Sequence, residues 1–167
     1  FSFQSTANSV LYVGAKPIFV DIEEDTFGLD PSEILKHLTP SVKAIMPMDY
    51  GGMSCKISDI KKIASENNLI VIEDAAEGLG SSVNGKKVGS ISDSAIFSFC
   101  GNKVLTTGEG GAVVTNSKEI SEKIKLIRSH GRLDNGNYFN DPSNPQYLSL
   151  GYNWRMSSIT ASLGLSQ

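Results

Sequence analysis

The chain has 167 residues, of which 40% are hydrophobic and 20% are charged, and its formal net charge is -3. These values fit one globular domain rather than a disordered segment. No apolar run reaches the roughly 18 residues of a membrane-spanning helix, and the charges are too evenly mixed to form a nucleic-acid-binding surface.

The chain up to residue 74 alternates between predicted helices and predicted strands. In chain order these are a helix at residues 5–13, a strand at 16–22, a helix beginning at Pro31, a strand at 42–48, a helix at 58–67 and a strand at 69–72. Asp30 stands at the N-cap of the second helix, where Glu33 would complete a capping box. Because parallel strands need crossover connections, this alternation predicts an α/β fold with a mainly parallel sheet.

The pattern changes beyond residue 74. The dipeptide Asn84-Gly85 predicts a tight hairpin within residues 82–89. Further predicted elements are strands at 94–99 and 112–115, a helix at 117–128, a long loop at 133–150 and a helix at 158–165.

Lys103 and Asp74 are the candidate functional residues. Lys103 follows the strand at 94–99 and precedes a glycine-containing segment, and a lysine placed in this way can form a Schiff base with an aldehyde. Asp74 follows a buried strand, and ligands of open α/β sheets bind beyond such strand ends. An amine for the aldehyde and a carboxylate for the ring nitrogen are what pyridoxal 5'-phosphate (PLP) requires. Taken singly, a surface lysine and a helix-capping aspartate remain the alternatives.

The glycines do not form a nucleotide-binding motif. Residues 78–83 lack the third glycine of a dinucleotide fingerprint, and no segment matches the Walker A pattern. Gly108, Gly110 and Gly111 are expected either to allow close approach beside the cofactor or simply to form a turn.

The remaining signals concern location and metals. The N-terminus carries no basic segment followed by an apolar one, as a secretory signal would, so we expect a cytoplasmic protein. Cys55 and Cys100 are far apart and lack metal-ligand spacing, which predicts reduced thiols and no metal site.

Several segments together resemble one protein family. Residues 71–116 read VIEDAAEGLGSSVNGKKVGSISDSAIFSFCGNKVLTTGEGGAVVTN, which closely resembles the DegT/DnrJ/EryC1/StrS family of PLP-dependent sugar aminotransferases. The opening FSFQSTANSVLYVGAKPIFVDIEEDTFGLDPSEI and the later IRSHGR and GYNWRMSSITASLGLSQ are similar to other motifs of that family, in the same order. The resemblance implies a three-layer α/β sandwich with a mixed, mainly parallel sheet and an aspartate aminotransferase-like fold. Residues 1–167 would form part of its large cofactor-binding domain, between a phosphate loop and a small domain.

The resemblance also implies roles for individual residues. Lys103 matches the Schiff-base lysine, and Asp74 matches the partner of the pyridine nitrogen. Phe3 falls where an aromatic side chain stacks on the ring, and Ser98 matches a serine that hydrogen-bonds the cofactor phosphate.

Two further residues concern the subunit interface and the ring hydroxyl. Asn153 matches an asparagine that reaches the phosphate of the neighbouring subunit's cofactor, which implies a homodimer with shared active sites. Glu77 replaces the glutamine or histidine that many members carry near the ring hydroxyl of the cofactor, so its role is open.

The reaction that the resemblance implies transfers an amino group from glutamate to a nucleotide-linked keto-sugar, for cell-wall or surface-polysaccharide synthesis. Three alternatives stand beside it. A related PLP-dependent sugar dehydratase would carry histidine in place of Lys103. A non-catalytic regulatory protein could share the fold, and a plain nucleotide-binding domain is disfavoured by the glycine patterns.

Overall fold

The computed structural model describes residues 1–132 and 146–167. Most of the long loop predicted at residues 133–150 therefore lies outside the described residues. The described part of that loop includes Tyr147, which forms an isolated antiparallel bridge with Arg132.

The described residues contain five α-helices and six β-strands. The helices are α1 (Gln4–Tyr12), α2 (Pro31–His37), α3 (Ile57–Glu66), α4 (Lys118–Ile127) and α5 (Ser158–Leu165). The strands are β1 (Ala44–Ile45), β2 (Ile70–Asp74), β3 (Ser82–Val83), β4 (Lys86–Lys87), β5 (Ser94–Ser98) and β6 (Gly111–Val114). Each predicted helix is thus confirmed, and no helix of the described residues is long and apolar enough to cross a bilayer.

Four of the strands form one mixed sheet in the order β1-β2-β5-β6. β1 pairs in parallel with β2, and β2 in parallel with β5, whereas β6 runs antiparallel to β5. The predicted mixed, mainly parallel sheet is therefore confirmed. Because β2 and β5 point the same way and β6 runs back, the ends of β2 and β5 share an edge with the start of β6, and Ser98 pairs there with Gly111.

Local sequence signals account for the hairpin and for the start of α2. Strands β3 and β4 are antiparallel, and both Asn84 (φ 50°) and Gly85 (φ 75°) adopt the positive φ values that a tight hairpin turn requires. The Asp30 side chain accepts a hydrogen bond from Ser32 N (2.8 Å), as expected of an N-cap. The predicted capping box is wrong, because Glu33 forms an ion pair with Lys36, while Asp30 N donates to Asp21 O.

Two strand predictions need correction. Residues 16–22 form no strand, and only an isolated bridge joins Ile22 to Leu29. The apolar pattern there predicts burial, but no neighbouring described strand offers a ladder, and Phe19 is 75% exposed. The strand predicted at 42–48 is confined to β1, since Pro47 has no N–H to donate to a ladder.

The hydrophobic core is centred on α3. Its residues Ile57, Ile60, Ile63 and Ala64 are buried, as their helical spacing predicts. They cluster with the buried side chains Ile34 of α2, Ile45 of β1 and Val71 of β2, together with Cys55. This packing places β1 and β2 against α3 and so supports the end of β2, which is described next.

Candidate active site

Asp74 is held at the end of β2 by its side chain. The residue is only 6% exposed. Thr6 Oγ1 of α1 donates to one carboxylate oxygen (2.6 Å), and Ala76 N donates to the other (3.2 Å). With both oxygens accepting hydrogen bonds, the carboxylate has a fixed orientation and remains an acceptor for a further donor.

The main chain of Asp74 is held as firmly as its side chain. Asp74 N donates to Pro47 O (2.8 Å), and Asp49 N donates to Asp74 O (3.0 Å). The segment after β1 therefore continues alongside the end of β2, although only a bridge between Met48 and Asp74 extends the ladder there. The position of Asp74 depends on this neighbouring segment.

Lys103 lies in the turn after β5, where its N–H donates to Cys100 O (3.1 Å). Its side chain is 17% exposed, and Lys103 Nζ is 3.5 Å from Glu77 Oε1. The other oxygen of Glu77 accepts a hydrogen bond from Gly51 N (2.8 Å), in the 3₁₀ turn Tyr50–Gly52. Glu77, three positions after Asp74 in the chain, thus connects Lys103 to the loop that follows β1.

Ser98 is the last residue of β5 and is partly buried. Its Oγ accepts a hydrogen bond from Cys100 N (3.3 Å). That contact uses the oxygen as an acceptor, so the hydroxyl proton can be donated to an anionic ligand at this edge.

The glycines after Lys103 are explained by the protein itself. A Cβ at Gly111 would lie 2.8 Å from Phe97 O, and one at Gly110 would lie 2.7 Å from Thr107 Oγ1. A Cβ at Gly108 would meet nothing within 4 Å, but the residue adopts a φ of 80°. These features fit the turn interpretation, because tight packing and positive φ already require glycine.

Phe3 and Asn153 lie outside this group of contacts. Phe3 is the N-cap of α1, 69% exposed, and its carbonyl accepts a hydrogen bond from Thr6 N (3.1 Å). Asn153 forms an isolated bridge with Ser129, beyond the end of α4. Among the described residues, no hydrogen bond or ion pair joins Asn153 to Asp74 or Lys103, so its predicted role stays a prediction.

Sequence reasoning missed three residues around Asp74. Thr6 is 68 positions away in the chain, and no local pattern distinguishes it from the other hydroxyl residues of α1. Asp49 and Glu73 are both fully buried beside the main chain of Asp74. Two acids in otherwise apolar strand segments are unusual, and that was the available signal.

Residues at this edge suit the chemistry of PLP. The Lys103 side chain is an amine that could react with an aldehyde, the buried Asp74 offers an acceptor for a protonated ring nitrogen, and Ser98 offers a hydroxyl donor for a phosphate. Asp74 and Ser98 end the strands β2 and β5, and Lys103 lies in the turn after β5. All three are therefore carried by strand ends on the same edge of the sheet.

The chain is similar to known proteins of one family. The model of the DegT/DnrJ/EryC1/StrS aminotransferase family matches residues 1–167. The chain is 43% identical over 166 residues to the GDP-perosamine synthase of Caulobacter vibrioides, an alignment that covers 99% of this chain and 43% of that protein. The chain therefore spans less than half the length of this relative.

Solved structures show the same similarity. Helicobacter pylori PseC, described as an aminotransferase involved in the biosynthesis of pseudoaminic acid, superposes with a TM-score of 0.92 at 38% identity, over 99% of this chain and 43% of that chain. NtdA from Bacillus subtilis, solved with bound cofactor PMP, gives a TM-score of 0.88 at 33% identity, over 98% of this chain and 36% of that chain.

Proposed function

Because this chain belongs to the DegT/DnrJ/EryC1/StrS aminotransferase family, we propose that the protein containing it is a PLP-dependent aminotransferase acting on a nucleotide-linked keto-sugar. The aspartate aminotransferase-like α/β fold expected from the resemblance is confirmed by the structural similarity to PseC. The single observation that carries the proposal is the shared sheet edge. There the buried Asp74 ends β2, and Lys103, paired with Glu77, follows the parallel strand β5.

Four residues would hold the cofactor. The Lys103 amine would bind its aldehyde end, the Asp74 carboxylate would accept a hydrogen bond from its ring nitrogen, and Ser98 would donate to its phosphate. Phe3 would cover the ring with its exposed aromatic face. When bound, PLP supplies a protonated ring that withdraws electrons from the reacting carbon of the substrate.

Asp74 has a well-defined task in this proposal. It would keep a proton at the ring nitrogen, and hydrogen bonds that involve a charged group are worth about 1.5–3 kcal/mol. The hydrogen bonds from Thr6 Oγ1 and Ala76 N fix its orientation in advance, so no reorganisation is needed when the ligand arrives.

Lys103 would act as the proton carrier. A neutral amine beside the α-carbon of the amino donor can remove a proton there and return it elsewhere, as general acid–base catalysis requires. In the structure this amine is paired with Glu77, which the Gly51 N–H holds in place. Lys103 must therefore leave Glu77 to react, while Glu77 keeps its backbone partner.

The partners of the reaction follow from the same proposal. We take glutamate as the amino donor, and the name of the Caulobacter vibrioides relative supports a sugar carried on a nucleotide. The active unit would be a homodimer in which Asn153 reaches the neighbouring cofactor phosphate. The enzyme would work in the cytoplasm, and its amino-sugar would enter cell-wall or surface-polysaccharide synthesis. The presence of Lys103 argues against the dehydratase alternative.

A cofactor-trapping experiment tests the site. The protein in its full natural length is titrated with PLP, reduced with borohydride, digested and mapped by mass spectrometry. We expect a visible absorbance band and a reduced adduct on the peptide containing Lys103, and both should be lost in Lys103→Ala. Lys118→Ala is the matched control, because that lysine is 90% exposed on α4 and should not matter. An adduct elsewhere, or an unchanged band in Lys103→Ala, would overturn the proposal.

A second assay tests the reaction. The protein is incubated with glutamate and a series of nucleotide-linked keto-sugars. It should release 2-oxoglutarate in repeated turnover only when an acceptor sugar is present. Loss of that release in Lys103→Ala, with retention in Lys118→Ala, would tie the reaction to this site. Failure with glutamate and all acceptors in a protein that binds PLP would contradict the substrate assignment but not the cofactor site.

A further inference from the structure

Two carboxylic acids are buried together beside the main chain of Asp74. Asp49 follows β1 and Glu73 lies within β2, and both residues are 0% exposed. Both adjoin Asp74, because Asp49 N donates to Asp74 O (3.0 Å) and Glu73 directly precedes Asp74 in β2. No ion pair among the described residues includes either acid, so no cation compensates their charges there.

In each of the two acids, one carboxylate oxygen accepts hydrogen bonds and the other has no hydrogen-bond partner among the described residues. Asp49 Oδ1 accepts from Cys55 N (2.9 Å), while one oxygen of Glu73 accepts from Gly89 N (3.1 Å) and Ser92 Oγ (2.6 Å). Among the described side chains, Asp49 Oδ2 and Glu73 Oε1 are the buried oxygens without a partner. Two ionised carboxylates would leave both oxygens unsatisfied and would repel each other. A single proton between them satisfies both, since one acid then donates and the other accepts.

We propose that Asp49 and Glu73 share one proton and act as positioning residues for the loop and strand end that carry the active-site carboxylates. The placement of the pair supports this role. Glu73 directly precedes Asp74, and Asp49 N donates to Asp74 O. Asp49 also leads into the turn in which Gly51 N binds Glu77. Separating the two acids would therefore displace the supports of both Asp74 and Glu77.

The polar groups that contact the pair belong to Cys55, Gly89, Ser92 and Asp74. Burial, then the charge of Glu73, raise the pKa of Asp49 to about 7, although the Cys55 N–H opposes this. Burial, followed by the charge of Asp49, raises the pKa of the Cys55 thiol, which therefore stays protonated. Ser92 and the Gly89 N–H are uncharged donors. Asp74 is the other acid nearby, and its carboxylate already has Thr6 and Ala76 as donors.

Replacing one acid by its amide tests the shared proton. In Asp49→Asn the amide N–H can donate to Glu73 as the acid O–H does, but it cannot ionise. A buried acid with a raised pKa stabilises the fold fully below its unfolded pKa and loses that contribution as pH rises toward the folded value. The folding equilibrium constant of Asp49→Asn relative to the wild type should thus increase about tenfold per pH unit between about pH 5 and 6.5.

Urea unfolding of the full-length protein across this pH range measures the ratio. Glu73→Gln is the second variant, because its amide can donate in the opposite direction, and it should show the same trend. Ser92→Ala is the matched control, since it removes a donor to Glu73 without removing an acid, and its ratio should stay flat. A pH-independent ratio in both amide variants would overturn the shared proton.

Amide hydrogen exchange tests the positioning role without any cofactor. In the wild type, the protection factors of the Asp49, Gly51 and Asp74 N–H groups should fall several-fold between pH 6 and 8, as the pair ionises. In Asp49→Asn they should not fall. Equal changes in the two proteins would show that the pair does not position these segments. Because PLP plays no part, this result is independent of the cofactor-trapping experiment.

Discussion

At the scale of single residues, the hydroxyl of Thr6 contacts the candidate site from a distant part of the sequence. It belongs to α1, a helix with no buried residue, yet it donates the shorter of the two hydrogen bonds to the Asp74 side chain (2.6 Å). The orientation of the carboxylate proposed to face the cofactor ring therefore depends on a helix that has no fully buried side chain.

Replacing Thr6 tests this dependence. Thr6→Val keeps the size and branching of the side chain but removes the donor, and we expect PLP to bind roughly tenfold more weakly, as befits about 1.5 kcal/mol for a hydrogen bond to a charged group. Thr6→Ser keeps the hydroxyl and should bind nearly as the wild type does. Absorbance titration with PLP measures both. Equal affinity of the valine and serine variants would show that Thr6 does not position Asp74.

Glu77 offers a separate test of how Lys103 is restrained. Glu77→Gln keeps an oxygen for Gly51 N but removes the negative charge that pairs with Lys103. A partly exposed ion pair is worth about 0.5–1 kcal/mol, so Lys103 should react with PLP roughly two- to five-fold faster in the variant. Stopped-flow absorbance at neutral pH gives the rate. A slower reaction would mean that Glu77 assists Lys103 instead of restraining it.

At the scale of elements, the hairpin of β3 and β4 ends in a glycine that packs directly on the sheet. A Cβ at Gly89 would lie 3.1 Å from Ala95 Cβ and 3.2 Å from both Phe97 Cζ and Val114 Cγ2, and its φ is 83°. The N–H of the same residue binds the buried Glu73. Gly89 thus joins the hairpin to the face of β5 and β6.

A pair of alanine substitutions separates packing from backbone strain. Gly85→Ala places a side chain at positive φ with nothing within 4 Å, so it should cost about 1–2 kcal/mol in unfolding free energy. Gly89→Ala meets the same strain and also crowds the sheet, so it should cost about 1–3 kcal/mol more. Urea unfolding compares the two. Equal losses would show that the sheet accommodates the extra methyl group.

The elements also show what the sequence could and could not predict. Periodicity located α3, and Asn84-Gly85 located the hairpin, because both signals are local. The strand prediction at residues 16–22 was wrong because a strand forms only beside a partner strand, and the local sequence does not indicate whether a partner is present. For the same reason the contact of Thr6 with Asp74 could not be predicted from the sequence. Lys103 and Asp74 could be identified as candidates, because each is placed near the end of a predicted strand.

At the scale of the whole molecule, buried side chains are concentrated around α3, whereas α1, α4 and α5 contain no buried residue. Asp74 ends the strand that packs on α3, so it lies in the well-packed part. Phe3 and Asn153 lie on less buried segments. Their proposed partners are a cofactor and a second subunit, which are not parts of this chain, and their roles therefore depend on the proposed function and not on internal packing.

The buried acids Asp49 and Glu73 also constrain how this molecule can evolve. An apolar residue in place of one acid would leave the other with an unsatisfied oxygen and an unshared charge inside the protein, which is strongly destabilising. Exchanging both at once, or exchanging one for an amide, avoids that penalty. Natural selection therefore couples the two positions where one becomes apolar, and in homologous sequences an apolar residue at one position should be accompanied by loss of the acid at the other.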